Sequence, residues 1–312
     1  MAKKNKKQHF VPASYLKAWL DKNCPTNQTP YVWIFNKDGS NGRKRAPENI
    51  LAETDLYTVI NKDGDRNLSI EHGLGTLEDK FSRIRNSKFK FHRELDDDEK
   101  IHLCAFVAAA QIRTTKSREH HKEQWGNVLK VADNLNEKLQ GMSENQKNDF
   151  SKISVSSSTD PKFTYEQIKE LSEKPLQKMM SPVIKSVTPI LLKMDMAILC
   201  SNNDQKFITS DNPCIWYDPE AYKNPPLFRS VGLINKFIEI TIPISPDQCL
   251  LFNWQKIGGY LAIDSEGVIR MNQRQIAFTD KEFVAHENKT NLEWFKETEM
   301  PDDAWENLNK PP

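Results

Sequence analysis

Apolar residues in this chain repeat with two different periods, and each period is confined to its own block of sequence. From Ser69 onward Ile70, Leu74, Leu77, Phe81 and Ile84 recur at helical spacing along one face. Before them, residues 31–35 and 55–60 are short runs of aromatic and β-branched residues, closed by Asp38-Gly39 and Asp63-Gly64, and read as two strands of a small meander. The last third returns to short apolar runs between Pro and Gly, at 196–200, 207–209, 214–217, 237–242, 249–252 and 260–263. Elements grouped in this way predict an α+β fold rather than an alternating, doubly wound sheet. The expected order is a small N-terminal meander, central long helices, and mostly antiparallel C-terminal strands packed on the helices.

Local signals fill in the remaining elements. Residues 11–20 predict a short helix with Pro12 in its first turn and Tyr15, Leu16 and Trp19 along one stripe. The acidic cluster Asp96-Asp97-Asp98-Glu99 suits a helix N-terminus, and that helix is expected to run past Trp125 toward Leu139. Pro175, Pro182 and Pro189 divide 165–193 into two or three short, kinked helices, and a last helix is expected near 272–278. Residues 141–163, with Ser156-Ser157-Ser158, read as a mobile polar loop, and 300–312 as a polar tail. With 38% hydrophobic residues, the 312-residue chain is expected to form one domain.

Composition excludes several classes. The 44 basic and 43 acidic residues leave a formal charge of +1, so no global field marks a dedicated duplex-DNA binder, although a local basic patch stays open. No apolar run approaches the roughly eighteen residues of a membrane span. Lys3, Lys4, Lys6 and Lys7 are followed by no apolar signal core, so a cytoplasmic location is expected. The five cysteines are scattered without metal-ligand spacing and read as reduced thiols. Walker, Rossmann, His-Glu-x-x-His, Gly-x-Ser-x-Gly and kinase patterns are absent.

Four groups of polar residues sit oddly for scaffold. His9 precedes the first helix beside Phe10 and Val11, where its ring could be buried and aimed, or could simply pack. Arg113 falls within about 80° of Leu103, Phe106 and Ala110 on a helical projection, so its guanidinium points inward and requires carboxylates or a bound anion; Gln111 lies on the edge of that stripe. Glu71 and Glu78, seven apart, project the same way and could hold a cation, answer Arg113, or flank a solvated face. Ser210, Asp211 and Asn212 follow a short strand and precede Pro213, a position that suits catalytic carboxylates and ordinary turns alike.

Taken in order, Gln8-His9-Phe10-Val11-Pro12 with Tyr15, Leu16 and Trp19, then Gln111-x-Arg113-Thr114, then Phe207 to Pro213, then Ile242-Pro243-Ile244-Ser245-Pro246, resemble the family known as domain of unknown function 4238. Asp55, Tyr57 and Asn272 match further positions of its pattern, while Trp19 and Ile244 depart from it in residue type. The resemblance implies a bacterial distribution, with some members in phages and fungi, and groups His9, Arg113 and Asp211 as a shared site. It carries no established reaction.

If these residues converge, His9 as acid or base, Asp211 as its partner or the activator of water, and Arg113 as charge stabiliser would suit phosphodiester chemistry, with Gln111, Ser210 and Asn212 binding substrate. The leading expectation is a nuclease or phosphodiesterase, an effector in defence or toxin systems. A metal-assisted variant would place Mg²⁺ on Asp211, Glu71 and Glu78, with His9 helping a water attack. The competing expectation is a non-catalytic module that binds a nucleotide, a nucleic acid, another anion or a protein, with a polar cluster that only registers the N-terminal segment.

Overall fold

The computed structural model describes residues 7–61, 63–146, 163–202, 204–223 and 231–296. The strands are β1 (Lys7–His9), β2 (Val32–Asn36), β3 (Arg43–Arg45), β4 (Ala52–Thr54), β5 (Val59–Ile60), β6 (Arg66–Asn67), β7 (Asp195–Ser201), β8 (Thr209–Ser210), β9 (Ile215–Tyr217), β10 (Glu239–Ser245), β11 (Gln248–Asn253), β12 (Gly259–Ile263) and β13 (Glu282–Ala285). The helices are α1 (Ala13–Leu16), α2 (Ser69–Ser87), α3 (Asp97–Ile112), α4 (Thr115–Gln140), α5 (Tyr165–Glu173), α6 (Pro175–Leu191) and α7 (Ser265–Phe278). The fold is α+β. Most of the expected mobile loop and all of the expected tail fall outside the described residues.

Strand pairing is mostly antiparallel. A five-stranded sheet runs β12-β7-β11-β10-β9, with only β12 parallel to its neighbour, and a four-stranded sheet runs β3-β2-β13-β8. β1 pairs with β4, setting His9 opposite Ala52, and β5 pairs with β6. The main core lies between α2, α3 and α6 and the five-stranded sheet, with Phe81 and Phe106 stacked at 3.9 Å between centroids. No described helix is long and apolar enough to cross a membrane.

Helix boundaries follow from caps. Asp96 and Glu99 exchange side-chain and backbone bonds as a capping box, which starts α3 where its acidic cluster predicts. The expected single helix from there to Leu139 breaks at Thr114, whose hydroxyl accepts the Ser117 N–H at 3.1 Å and begins α4 anew. At α2 the expected Ser69 cap is not used; Asn67 Oδ1 accepts the Ser69 N–H instead. The expected strand at 55–60 reduces to β5, because Asp55 adopts a left-handed φ of 57° and the Tyr57 N–H goes to Gln8 rather than to a ladder. Pro182 and Pro189 sit inside α6 without dividing it; the break falls at Lys174, ahead of Pro175.

The N-terminal motif is an anchor for this framework. Tyr15, fully buried, shares a hydrogen bond of 2.8 Å with Thr209 and donates to the Pro243 carbonyl. Trp19 donates to the Phe207 carbonyl at 2.9 Å. One short helix thereby ties together the motifs around Thr209 and Pro243, which lie in different sheets.

Candidate functional site

Three groupings of polar residues stand out, and the first surrounds Arg113. Its guanidinium is 2% exposed at the end of α3. It pairs with Glu78 Oε1 at 2.9 Å, donates to the His9 carbonyl at 2.5 Å and lies 3.5 Å from the Tyr57 hydroxyl. Tyr57, whose phenol burial pushes up to about 12, stays protonated and donates to the Arg113 carbonyl at 2.9 Å. That carbonyl is available because the helix stops there. Gln8 completes the frame, its amide accepting from the Tyr57 N–H at 2.6 Å and donating to Thr58 Oγ1 at 3.1 Å. The charge of Arg113 is thus met by Glu78 and its hydrogen-bond directions by backbone and phenol, the arrangement of an internal strut.

His9 and Glu71 border this strut with unmet polar atoms. His9 Nε2 and Glu71 Oε2 are buried without a hydrogen-bond partner. Burial lowers the His9 pKa, with Glu78 opposing, so the ring is neutral at pH 7. Burial raises the Glu71 carboxyl, with Arg113 opposing and Glu78 reinforcing. Gln111 is half-buried two residues before Arg113 and takes no part in these bonds.

The signs of the two shifts make opposite contributions to stability. The His9 term is complete above its ordinary 6.5 and is lost as pH falls through the folded pKa. The Glu71 term is complete below the ordinary carboxylate range and is lost as pH rises through the folded pKa. Glu71→Gln, neutral at every pH, is therefore expected to raise the urea midpoint over wild type at pH 8, with the gain shrinking toward pH 4. A midpoint difference independent of pH would show the carboxyl to be solvated.

Asp211 belongs to a second grouping. Its carboxylate accepts three consecutive backbone N–H groups, from Asp280 at 2.9 Å, Lys281 at 2.6 Å and Glu282 at 2.9 Å. Burial raises its pKa, and those three donors pull the other way. Ser210 Oγ accepts from the Asn212 N–H at 3.0 Å and from Gln275 Nε2 at 2.7 Å, while Asn212 Nδ2 donates to the Phe278 carbonyl at 3.1 Å. Asn272 clamps the same segment, accepting the Ile208 N–H and donating to the Lys206 carbonyl. These residues staple β8 and the following turn to α7 and β13.

Of the residues expected to converge, His9 and Arg113 meet, while Asp211 and Asn212 make their hydrogen bonds in the second grouping. No hydrogen bond or ion pair joins Asp211 to His9 or Arg113; the Phe278 carbonyl, shared by Asn212 and Lys116, links the two groups only indirectly. The Mg²⁺ expectation for Asp211, Glu71 and Glu78 also meets a poor donor set. Glu78 is committed to a guanidinium, and among the described residues no three His, Cys, Asp or Glu side chains are gathered to hold a metal.

The third grouping lies elsewhere, in a cleft of about 800 Å³ bordered by α1, α2, the turn after α2 and the β10–β11 hairpin. Lys17, Lys22, Arg85, Lys90 and His92 line it against two acids, Asp79 and Asp247, the latter paired with Lys206 at 2.8 Å. Arg85 is 9% exposed and donates to the Tyr15 and Ser14 carbonyls at 2.8 and 2.9 Å. Among the described residues it has no carboxylate partner, and burial lowers its pKa with only the Tyr15 phenol opposing. The hydroxyls of Ser14 and Ser82, also in the lining, are buried without a partner. The signal for Arg85 was present in the sequence: it stands four residues after Phe81, about 40° away on the same apolar stripe.

No curated protein and no solved structure matches the chain. The family model described as protein of unknown function (DUF4238) matches residues 7–290, and the chain belongs to that family.

Proposed function

We propose that this protein binds a phosphate-bearing ligand, a nucleotide or a nucleic-acid strand, in the cleft, and that the motif residues His9, Arg113 and Asp211 keep its surrounding walls in register. The observation that carries this reading is Arg85. A guanidinium cannot shed its charge, and one that is 9% exposed with no carboxylate partner among the described residues is short of a counter-ion. Lys22 and Lys90 add positive charge around the same space, Lys17 being paired with Glu48 at 3.0 Å, and the Ser14 and Ser82 hydroxyls offer donors that no protein atom uses. The five cysteines are free thiols, four of them buried, which supports a reducing, cytoplasmic setting for this binding.

Calorimetric titration with inorganic phosphate, pyrophosphate and nucleoside phosphates tests the proposal. Wild type is expected to bind at least one of them, with affinity falling as salt rises. Lys22→Glu combined with Lys90→Glu is expected to weaken binding tenfold or more while thermal unfolding stays within a few degrees of wild type, since both lysines are surface groups. Absence of heat and of any ligand-induced rise in Tm, from a folded wild type, would overturn it.

Turnover is the second reading, and His92 is the observation that favours it. Its ring lines the cleft, stacks on Tyr260 at 4.5 Å, and sits on a left-handed backbone with φ 53°. Strained backbone and an oriented imidazole beside a phosphate site suit a general acid or base of a nuclease or phosphodiesterase. Incubation with RNA and single-stranded DNA, with and without Mg²⁺, is expected to show cleavage that His92→Asn abolishes; Asn tolerates the same backbone.

A further inference from the structure

The cleft continues onto a surface built differently from a site for a free nucleotide. Residues 88–93, Lys-Phe-Lys-Phe-His-Arg, alternate basic and aromatic side chains around a turn at one rim. Phe89 points inward and is fully buried, and its carbonyl accepts from Gln248 at 2.9 Å. Phe91 points outward at 57% exposure, with the Lys90 ammonium 5.8 Å and the Arg93 guanidinium 5.3 Å from its ring centroid. His92 stacks almost parallel to Tyr260, at 10°, and the Tyr260 hydroxyl holds the Arg93 carbonyl at 2.9 Å. The turn is therefore anchored from below while presenting two aromatic faces and two cations outward.

A large exposed aromatic between two cations has a bland use, since cation–π contacts stabilise it where it stands. Its position argues for more. Lys90 and His92 both line the cleft that holds Arg85, so the turn that carries Phe91 borders the space of the unbalanced guanidinium. Stacking faces beside phosphate-binding cations match a polymer whose bases are unpaired: a duplex keeps its faces covered, and a mononucleotide has one base for two stacking faces. The near-neutral total charge, +1, confines the attraction to this patch and disfavours broad duplex binding.

We infer that the ligand of the cleft is single-stranded nucleic acid, with phosphates on Lys22, Arg85 and Lys90 and bases stacked on Phe91 and His92. The inference rests on the phosphate-binding reading above and narrows its ligand. Fluorescence anisotropy with a labelled twelve-nucleotide oligo(U) and oligo(dT), the matching duplexes, and competition by UMP and by a phosphoserine peptide tests it. The single strands are expected to bind about tenfold or more tighter than duplex or UMP. Phe91→Ala and His92→Asn are each expected to weaken strand binding by about tenfold and to leave UMP affinity within twofold for Phe91→Ala. UMP binding as tightly as the strand, with Phe91→Ala silent, would overturn the strand assignment and leave the phosphate site standing. A phosphopeptide that outcompetes the strand would overturn it as well. Failure of every phosphate ligand would remove both.

Discussion

Asp211→Ala is expected to lower the free energy of unfolding by about 3 kcal/mol or more, because three backbone donors lose a charged acceptor at once. The donors are consecutive N–H groups of Asp280, Lys281 and Glu282, converging on the two carboxylate oxygens. Alanine offers them nothing, and the Asp211 N–H bond to the Glu282 carbonyl at 3.0 Å cannot hold the segment alone. Glu282 begins β13, the strand lying between β2 and β8, so the loosened residues are those that set the register of the four-stranded sheet. Asp211→Asn should fall between, since one amide oxygen can accept while the amide N–H₂ opposes a backbone donor. Urea unfolding at pH 7 reads both. A catalytic carboxylate predicts the opposite direction, because replacing a residue held for chemistry commonly leaves stability unchanged or raised. Wild-type stability in Asp211→Ala would return Asp211 to the list of reactive groups.

The sequence supports the architecture where a periodic face is long enough to be unambiguous. The stripe from Ile70 to Ile84 becomes the core face of α2, though without its expected Ser69 cap, and the acidic opening at Asp96 becomes the capped start of α3. The C-terminal runs other than 207–209 become strands of the five-stranded sheet, because β-branched and aromatic runs between Pro and Gly leave few alternatives. What escapes is structure made by partners distant in sequence. β1 is three polar residues, Lys7–His9, extended only because 52–54 pair with it. β13 is four residues whose strand identity comes from neighbours on both sides. The break at Thr114 hinges on one capping hydroxyl in a sequence that could equally continue as helix.

The site shows the same division. An inward guanidinium on an apolar stripe is legible from helical geometry, and for Arg113 that geometry is right. Whether its partner is a carboxylate of the protein or an anion from outside depends on what another element brings. α2 brings Glu78 to Arg113, and nothing comparable to Arg85, so two residues with the same projection carry opposite implications. The turn Ser210-Asp211-Asn212-Pro213 had a catalytic and a structural reading open; three backbone donors from the segment 280–282 favour the structural one.

Arg113→Met should cost about 3–5 kcal/mol, the range for removing one partner of a buried pair. Methionine keeps most of the volume, so the loss isolates charge and hydrogen bonding from packing. The substitution strips the His9 carbonyl of its donor and leaves Glu78 without a counter-charge in a half-buried position. It also removes the cation that opposes burial at Glu71, while the repulsion between Glu71 and Glu78 persists. The Glu71 carboxyl is then driven further toward the protonated form, and holding it ionised costs more as pH rises. The destabilisation should therefore be larger at pH 8 than at pH 5, the same sign as for a simple ion pair, which weakens as its acid protonates. Combining Arg113→Met with Glu78→Gln should recover part of the loss, since the Glu78 charge no longer stands uncompensated near the Tyr57 phenol, and a double-mutant cycle gives the coupling directly. Chemical denaturation of the four proteins at both pH values is the measurement. If Arg113→Met unfolds at the wild-type midpoint at both, the guanidinium is not a strut, and the charge at the end of α3 becomes available to a ligand.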